Sequence, residues 1–255
     1  VSHFVRGSML KYDVEFSGGT STLVSVGKEL TLKDIETGIN SDVVKITGDS
    51  QPDYNAVEGK GQFIIKTLTL SADQRDALST MLVAKYGITV EDIESTSISA
   101  TIGNEMKIAA ILAIIIASVL MLIYVAIRFH DTASGVSAII ALVHDIQIVF
   151  MIYTVFHLPI NNSFIAAILT ILGYSINDTI IMFDRIRENT DQFRGDTKGL
   201  INTSINQTLG RSINTLVTVL ITTGALYVLG VGAIREFAFP MLVGIISGGY
   251  SSIFI

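Results

Sequence analysis

A series of long apolar runs constrains this chain more than any other feature. Residues 108–127, "IAAILAIIIASVLMLIYVAI", carry no charged side chain. A helix needs about 20 apolar residues to cross the hydrocarbon core of a bilayer. Four other runs have similar length, and two of them are interrupted by polar residues. The sequence therefore predicts five membrane spans, at about 108–127, 133–156, 160–183, 212–234 and 237–255.

Composition divides the chain near residue 105. Residues 1–105 are an ordinary soluble mixture that holds most of the acidic residues, whereas residues 106–255 are strongly apolar. We expect an extracytoplasmic domain over 1–105 and a transmembrane bundle over 106–255. The net charge of -6 argues against a nucleic-acid partner, which would favour a basic face. With no cysteine, there is no disulfide or thiolate site. No metal site and no cofactor are expected.

Both ends of the chain look cut. Position 1 is Val rather than Met, and the last span stops at Ile255 without a flanking polar residue. Five is an odd number of spans, and none of them is an N-terminal signal peptide. We expect a fragment, with one further span before residue 1.

The distribution of basic residues predicts the orientation. Cytoplasmic loops carry an excess of Lys and Arg. If the soluble domain lies outside, only Lys107 and Arg235 flank the spans on the outer side. The inner side then holds Arg128, Arg185, Arg187, Arg194, Lys198 and Arg211. The soluble domain is therefore predicted to face the cell exterior or periplasm.

The soluble part alternates strand-like and helix-like segments. Residues 12–16 and 21–27 are predicted strands around a glycine bend, followed by a helix at 32–39 and a strand at 42–48. Residues 47–61 form a turn-rich connection. A strand at 61–70, a capped helix at 71–87 and a strand at 90–103 follow. This order predicts an α+β ferredoxin-like domain with helices on one face of its sheet. Its expected core is Ile35, Ile64, Leu78 and Leu82.

The glycine pair in "FSGGT", residues 16–20, has two interpretations. The stretch could cradle an anion, but it lacks the Lys of a phosphate loop. A bend at Gly18 and Gly19 is favoured.

Two polar stripes interrupt the apolar spans. On one, Thr170, Tyr174 and Asp178 are four residues apart, with Gly173 and Asn177 beside them. On the next span, the stripe consists of Arg211, Thr215, Thr218 and Thr222. Together the stripes predict a shared polar path through the bundle. Ser175 lies off that face, so its replacement by Ala is expected to matter little.

Each of these groups also has a purely structural interpretation. A carboxylate in hydrocarbon costs several kcal/mol, which favours a functional Asp178 over a simple helix fastener. The pair His144–Asp145 could carry ions or simply fasten helices. Arg211 could snorkel to the interface. Residues 197–211 form an amphipathic helix, either on the inner surface or packed on the bundle. Gly244 and Gly248 form a GxxxG pair typical of helix packing.

The stretch "GYSINDTIIMFDRIREN", residues 173–189, strongly resembles the signature of the SecF family of bacterial protein-export subunits. Further matches run along the whole chain. They are "VEFSGGT" at 14–20, "AIRF" at 126–129, "ALVHD" at 141–145, "QTLGRSINT" at 207–215 and "GGYSSIFI" at 248–255. The first span and the tail of the family are missing. Gln147 departs from the pattern, because an aliphatic residue is expected there.

The resemblance implies a fold and a set of partners. Family members form one half of a twelve-span assembly with SecD, which is separate or fused, and they resemble the resistance-nodulation-division exporters. They act beside the SecYEG channel on preproteins, in the bacterial cytoplasmic (inner) membrane and among its lipids. They use the ion gradient to assist export on the outer side and are not enzymes. An Asp and an Arg of the family map to Asp178 and Arg211 as ion-coupling residues. Asn177, Asp145 and His144 are further candidates.

Two other functions remain open at this stage. One is a small-molecule or lipid exporter of the resistance-nodulation-division type, which the small outer domain and the long motif disfavour. The other is an intramembrane aspartyl protease with Asp145 and Asp178 as its dyad. Such enzymes need a GxGD-type motif, and "YSIND" does not provide it.

Overall fold

The computed structural model describes residues 10–57, 61–129, 132–230 and 232–255. Its helices and strands follow in order along the chain. They are β1 (Lys11–Tyr12), α1 (Val14–Ser17), β2 (Gly19–Ser25), α2 (Leu32–Thr47), β3 (Asp53–Val57), β4 (Gln62–Thr67), α3 (Ala72–Tyr86), β5 (Ile93–Ile98), α4 (Ala100–Phe129), α5 (Thr132–Phe156), β6 (Pro159–Ile160), α6 (Asn162–Asn189), α7 (Thr197–Leu229) and α8 (Ala233–Phe254). Two compact units result, one over Tyr12–Ala109 and one that contains Ala110–Ile255.

The first unit contains a four-stranded antiparallel sheet in the order β3-β4-β2-β5. Along the chain its elements run strand, helix, strand, strand, helix, strand, as the sequence predicts. The two helices bury Ile35, Leu78 and Leu82 in one core with Val24 and Phe63 of the sheet. Both helices therefore pack on the same face of the sheet, which is the split βαβ arrangement.

The predicted second strand is wrong. Residues 42–48 continue helix α2, and the strand lies later, at β3. Val43 is buried one turn after Ile39, so helical spacing overrides the strand preference of the β-branched residues here. Gly48 ends the helix with a φ of 72°, a left-handed conformation that suits glycine. Residues 12–16 are likewise not a strand, because most of them form α1.

One predicted core residue lies on the other face of its strand. Phe63 and Ile65 of β4 are buried, whereas Ile64 between them is only partly buried. Successive side chains of a strand point to opposite faces. The prediction for Ile64 is therefore wrong, because Phe63 and Ile65 lie on the face of β4 that forms the core.

The bend at Gly18 and Gly19 is confirmed. Their φ angles are 75° and 148°, a region that other residues rarely adopt. A Cβ atom on Gly18 would lie 2.6 Å from the Cα of Ala100. Backbone packing therefore explains these glycines without a bound anion.

The second unit is a bundle in which all five predicted spans are confirmed as helices of membrane-crossing length. Their ends differ from the expected positions. Helix α6 runs on to Asn189, and α7 ends at Leu229. Residues 197–211 are helical, as predicted, and of the two alternatives the structure shows the one packed on the bundle, because these residues form the first turns of the continuous helix α7. Its buried residues Ser204, Thr208 and Ser212 recur every four positions, so one face packs along its length.

Helix α6 packs most extensively on α8. Gly244 of α8 meets the side chain of Ile171 so closely that a Cβ atom there would overlap it. Gly248, one turn later, lies against Ser175. The GxxxG pair therefore serves helix packing, as its spacing indicates.

Candidate functional site

Asp145 of α5 is completely buried and is held by hydroxyl groups from two neighbouring helices. Ser175 Oγ of α6 donates a hydrogen bond of 2.6 Å to the carboxylate. Ser247 and Ser251 of α8 donate bonds of 2.7 Å and 2.8 Å. The Nδ1 atom of His144 lies 3.1 Å from Oδ1. Asp145 therefore joins α5, α6 and α8 at one point.

Sequence reasoning missed the three serines around Asp145, and the expectation that Ser175→Ala matters little did not include the hydrogen bond of Ser175 to this carboxylate. The signal was present in "SGGYSS", because Ser247 and Ser251 are four residues apart on one helical face. Gly248 lies between them and leaves room for the carboxylate, since its Cβ position is 3.6 Å from Asp145 Oδ2. The small residues were interpreted only as a packing surface.

Asp178 of α6 is also buried, with 3% of its surface exposed, but it is held more loosely. Ser212 Oγ of α7 lies 3.4 Å from Oδ1, and Ser252 Oγ of α8 lies 3.4 Å from Oδ2. Both distances are beyond the usual range for a hydroxyl donor, which is about 2.5–3.0 Å. Asp178 is therefore a buried carboxylate between α6, α7 and α8 with two weak hydrogen bonds.

The hydroxyl group of Tyr174 is buried one turn before Asp178. It forms no well-aligned hydrogen bond among the described residues, although the side chain of Thr215 on α7 lies near it. Buried polar atoms are almost always paired, so such an exception indicates a water, an ion or a functional role. This hydroxyl is part of the predicted polar face, and it lies on the same helix as Asp178.

Arg211 does not form the direct ion pair with Asp178 that its predicted role suggests. Across the described parts of the chain, its guanidinium group has no hydrogen bond or ion pair, and the side chain is exposed. Arg211 directly precedes Ser212, whose hydroxyl lies 3.4 Å from Asp178 Oδ1. The structure therefore places Arg211 near Asp178 without direct contact.

The second polar stripe does not line a path inside this chain. Thr218 and Thr222 are exposed, and their hydroxyls bond to carbonyls of their own helix. Thr215 does the same. The buried face of α7 contains Ser212, one residue after Arg211, and one residue is a rotation of about 100°. Thr170 and Asn177 of α6 are exposed as well.

A bundle of five membrane-length helices with two carboxylates buried between them defines a multi-pass membrane protein with ionisable groups in its core. Residues 78–255 match the family described as "Protein export membrane protein SecD/SecF, C-terminal". The chain belongs to this family, on its SecF side.

Known proteins support that assignment. SecF of Thermobaculum terrenum is 33% identical over 260 residues, covering 96% of this chain and 82% of that protein. SecDF of Thermus thermophilus is 35% identical over 99% of this chain and 34% of its own length. The chain thus spans about a third of the SecDF relatives.

Solved structures share the fold. The crystal structure of SecDF from Thermus thermophilus superposes with a TM-score of 0.83 at 34% identity, over 98% of this chain and 34% of that one. A SecDF structure described as the super-membrane-facing form gives a TM-score of 0.67 at 32% identity, over 99% and 34% of the two chains. The resemblance of the sequence to SecF is confirmed.

Proposed function

We propose that this chain couples an ion gradient across the bacterial cytoplasmic membrane to protein export, as the SecF part of the Sec machinery. It works with a SecD half, separate or fused, and with the SecYEG channel and emerging preproteins. Relatives named SecDF, in which both halves form one chain, support the pairing with SecD. The role is one of energy coupling rather than of enzymatic catalysis.

The observation that carries the proposal is the weakly held carboxylate of Asp178. An apolar surrounding favours the neutral acid, and a nearby cation favours the carboxylate. Asp178 has both influences, since it is buried between helices and lies within electrostatic range of Arg211. Movement of the arginine or access of water would then load or release a proton. Asp145, with its short bonds, fixes the helices around this group.

The energy available is sufficient for a conformational change. One charge crossing a potential of about 100 mV contributes roughly 2.3 kcal/mol. That free energy shifts an equilibrium between two conformations some tens-fold. We place the unit Tyr12–Ala109 on the outer side, where such a shift could act on emerging chains.

The test compares Asp178→Asn with Arg211→Ala in the assembled protein. Asn keeps the size of Asp but cannot carry a proton, so gradient-dependent stimulation of reporter export in inverted vesicles should be abolished. Arg211→Ala should impair the same response. Asp191→Asn, in a carboxylate that is exposed and paired with Arg194 outside the spans, is the matched control and should change nothing. A full gradient response in Asp178→Asn would refute ion coupling at this site.

A further inference from the structure

A polar cavity of about 330 Å³ lies between the last turns of α6 and the middle of α7. Four of its lining side chains are charged, namely Asp184, Arg185, Glu188 and Arg211. Charged groups are costly to bury without water or partners. A cavity of this size holds several water molecules. The composition of its wall therefore favours a hydrated space rather than a lipid-filled one.

One end of the cavity is crossed by hydrogen bonds between α6 and α7. We call this group, formed by Arg185, Asn189 and Gln207, the bracket. Arg185 Nε of α6 donates to Gln207 Oε1 of α7 at 2.6 Å, and its Nη1 donates to Glu188 at 2.6 Å. Asn189 Nδ2 donates to the same Gln207 oxygen at 2.8 Å. Glu188 is 62% exposed, so this bracket lies at the aqueous end.

The other end of the cavity approaches Asp178. Ile181 of the lining is three residues after Asp178 on α6. Thr208 of the lining is 6% exposed and lies one turn before Ser212, whose hydroxyl contacts Asp178. One helical turn is about 5.4 Å. The floor of the cavity is therefore about one turn from the carboxylate.

Arg211 connects the cavity to the site electrostatically. It lines the cavity and interacts favourably with Asp178, yet it has no ion-pair partner in the part of the chain that the structure describes. A hydrated cavity supplies the solvation that an unpaired guanidinium needs. Water in this cavity would come within about one helical turn of Asp178.

We propose that this cavity is the aqueous access path between Asp178 and the Arg-rich side of the membrane, and that Arg185 is its gate. The proposal rests on the ion-coupled function above and assigns to it a route. The bracket of Arg185, Gln207 and Asn189 closes the aqueous end. Release of Arg185 from Gln207 opens the path to water.

Cysteine labelling tests the path directly, because the chain has no cysteine of its own. A thiol must ionise to react with a charged methanethiosulfonate, so it must meet water. In the complete assembly in inverted vesicles, Thr208→Cys should react about tenfold faster than Thr223→Cys. Thr223 is the matched control, since it is the same residue type, is similarly buried on α7 and is not part of the lining. Ile181→Cys is a second reporter from the opposite wall.

The gate is tested in the same background. Arg185→Ala should raise the labelling rate of Thr208→Cys severalfold, whereas Arg194→Ala, in a fully exposed pair with Asp191, should leave it unchanged. Equal rates at positions 208, 181 and 223 would overturn the path, and unchanged labelling in Arg185→Ala would overturn the gate. Labelling does not depend on coupling. If Asp178→Asn loses the gradient response while positions 208 and 181 stay unreactive, the path fails and the proposed function stands. If Asp178→Asn keeps the response, the function fails.

Discussion

At the scale of single residues, hydroxyl groups distinguish the two buried carboxylates. Asp145 receives three hydroxyl bonds of 2.6–2.8 Å, and Asp178 receives two of 3.4 Å. A hydroxyl that donates to a carboxylate normally forms a short, strong bond. The Asp145 carboxylate is therefore held firmly between three helices, whereas the Asp178 carboxylate is held by weaker hydrogen bonds.

Ser175→Ala should destabilise the membrane unit. The change removes the shortest bond to Asp145, and a hydrogen bond to a charged group contributes about 1.5–3 kcal/mol. Thermal unfolding in detergent should show a lower Tm than for the unchanged protein. Thr218→Ala is the control, because that hydroxyl is exposed and bonds only within its helix. An unchanged Tm in Ser175→Ala would mean that the hydrogen bond from Ser175 to Asp145 contributes no stability.

Tyr54 should make the unit Tyr12–Ala109 sensitive to alkali. Burial, with Glu36 and Asp49 nearby, raises the pKa of its phenol from the usual 10.0 to about 12. The phenol is harder to ionise in the folded protein than in the unfolded chain. Its contribution to stability is therefore complete below the pKa of the unfolded state and is lost as the pH rises towards the pKa of the folded state. The stability advantage of the native protein over Tyr54→Phe should therefore shrink between pH 10 and 12. Denaturant unfolding at several pH values measures it, and a constant difference would contradict the prediction.

At the scale of elements, sequence patterns predict helices better than strands. Long apolar runs predict all five membrane helices because the bilayer dictates their length. Strand β3 was missed because "DYNAV" lacks the apolar alternation that marks a strand, and its pairing with β4 supplies the order. The hydrogen bonds from serines to Asp145 join residues 30, 102 and 106 positions apart, and no local pattern encodes such contacts.

Gly244→Ala should weaken the packing of α6 on α8. The added methyl group would overlap the side chain of Ile171, which is completely buried. Overpacking of this kind typically costs about 1–3 kcal/mol. Gly210→Ala on α7 is the matched control, because its Cβ position is open. The measurement is the detergent Tm, and an equal Tm for both variants would show that the α6–α8 contact tolerates expansion.

At the scale of the whole molecule, the unit Tyr12–Ala109 has its own core and should fold alone. A fragment of residues 10–100 contains the complete sheet and both packed helices. It should give a dispersed amide NMR spectrum without ligand or metal. Extending it to residue 109 should raise its Tm, since Gly103 of α4 lies against the backbone of Phe16 and Gly18. A collapsed, undispersed spectrum from both fragments would contradict an independent domain.

The membrane orientation is tested by two single cysteines. Thr197→Cys at the start of α7 should be shielded from an impermeant thiol reagent in intact cells, and Ser50→Cys should be labelled. The reason is the excess of Arg and Lys around α6 and α7. Labelling at position 197 from outside would reverse the proposed topology.

Ser251 and Ser252 are neighbours on α8, yet they touch carboxylates on two different helices. Their side chains diverge by about 100° around the helix axis, so one turn of α8 spans the gap between Asp145 and Asp178. A twist of α8 that shortened one of these contacts would lengthen the other. Helix α8 therefore links the firmly held carboxylate and the loosely held one within a single turn.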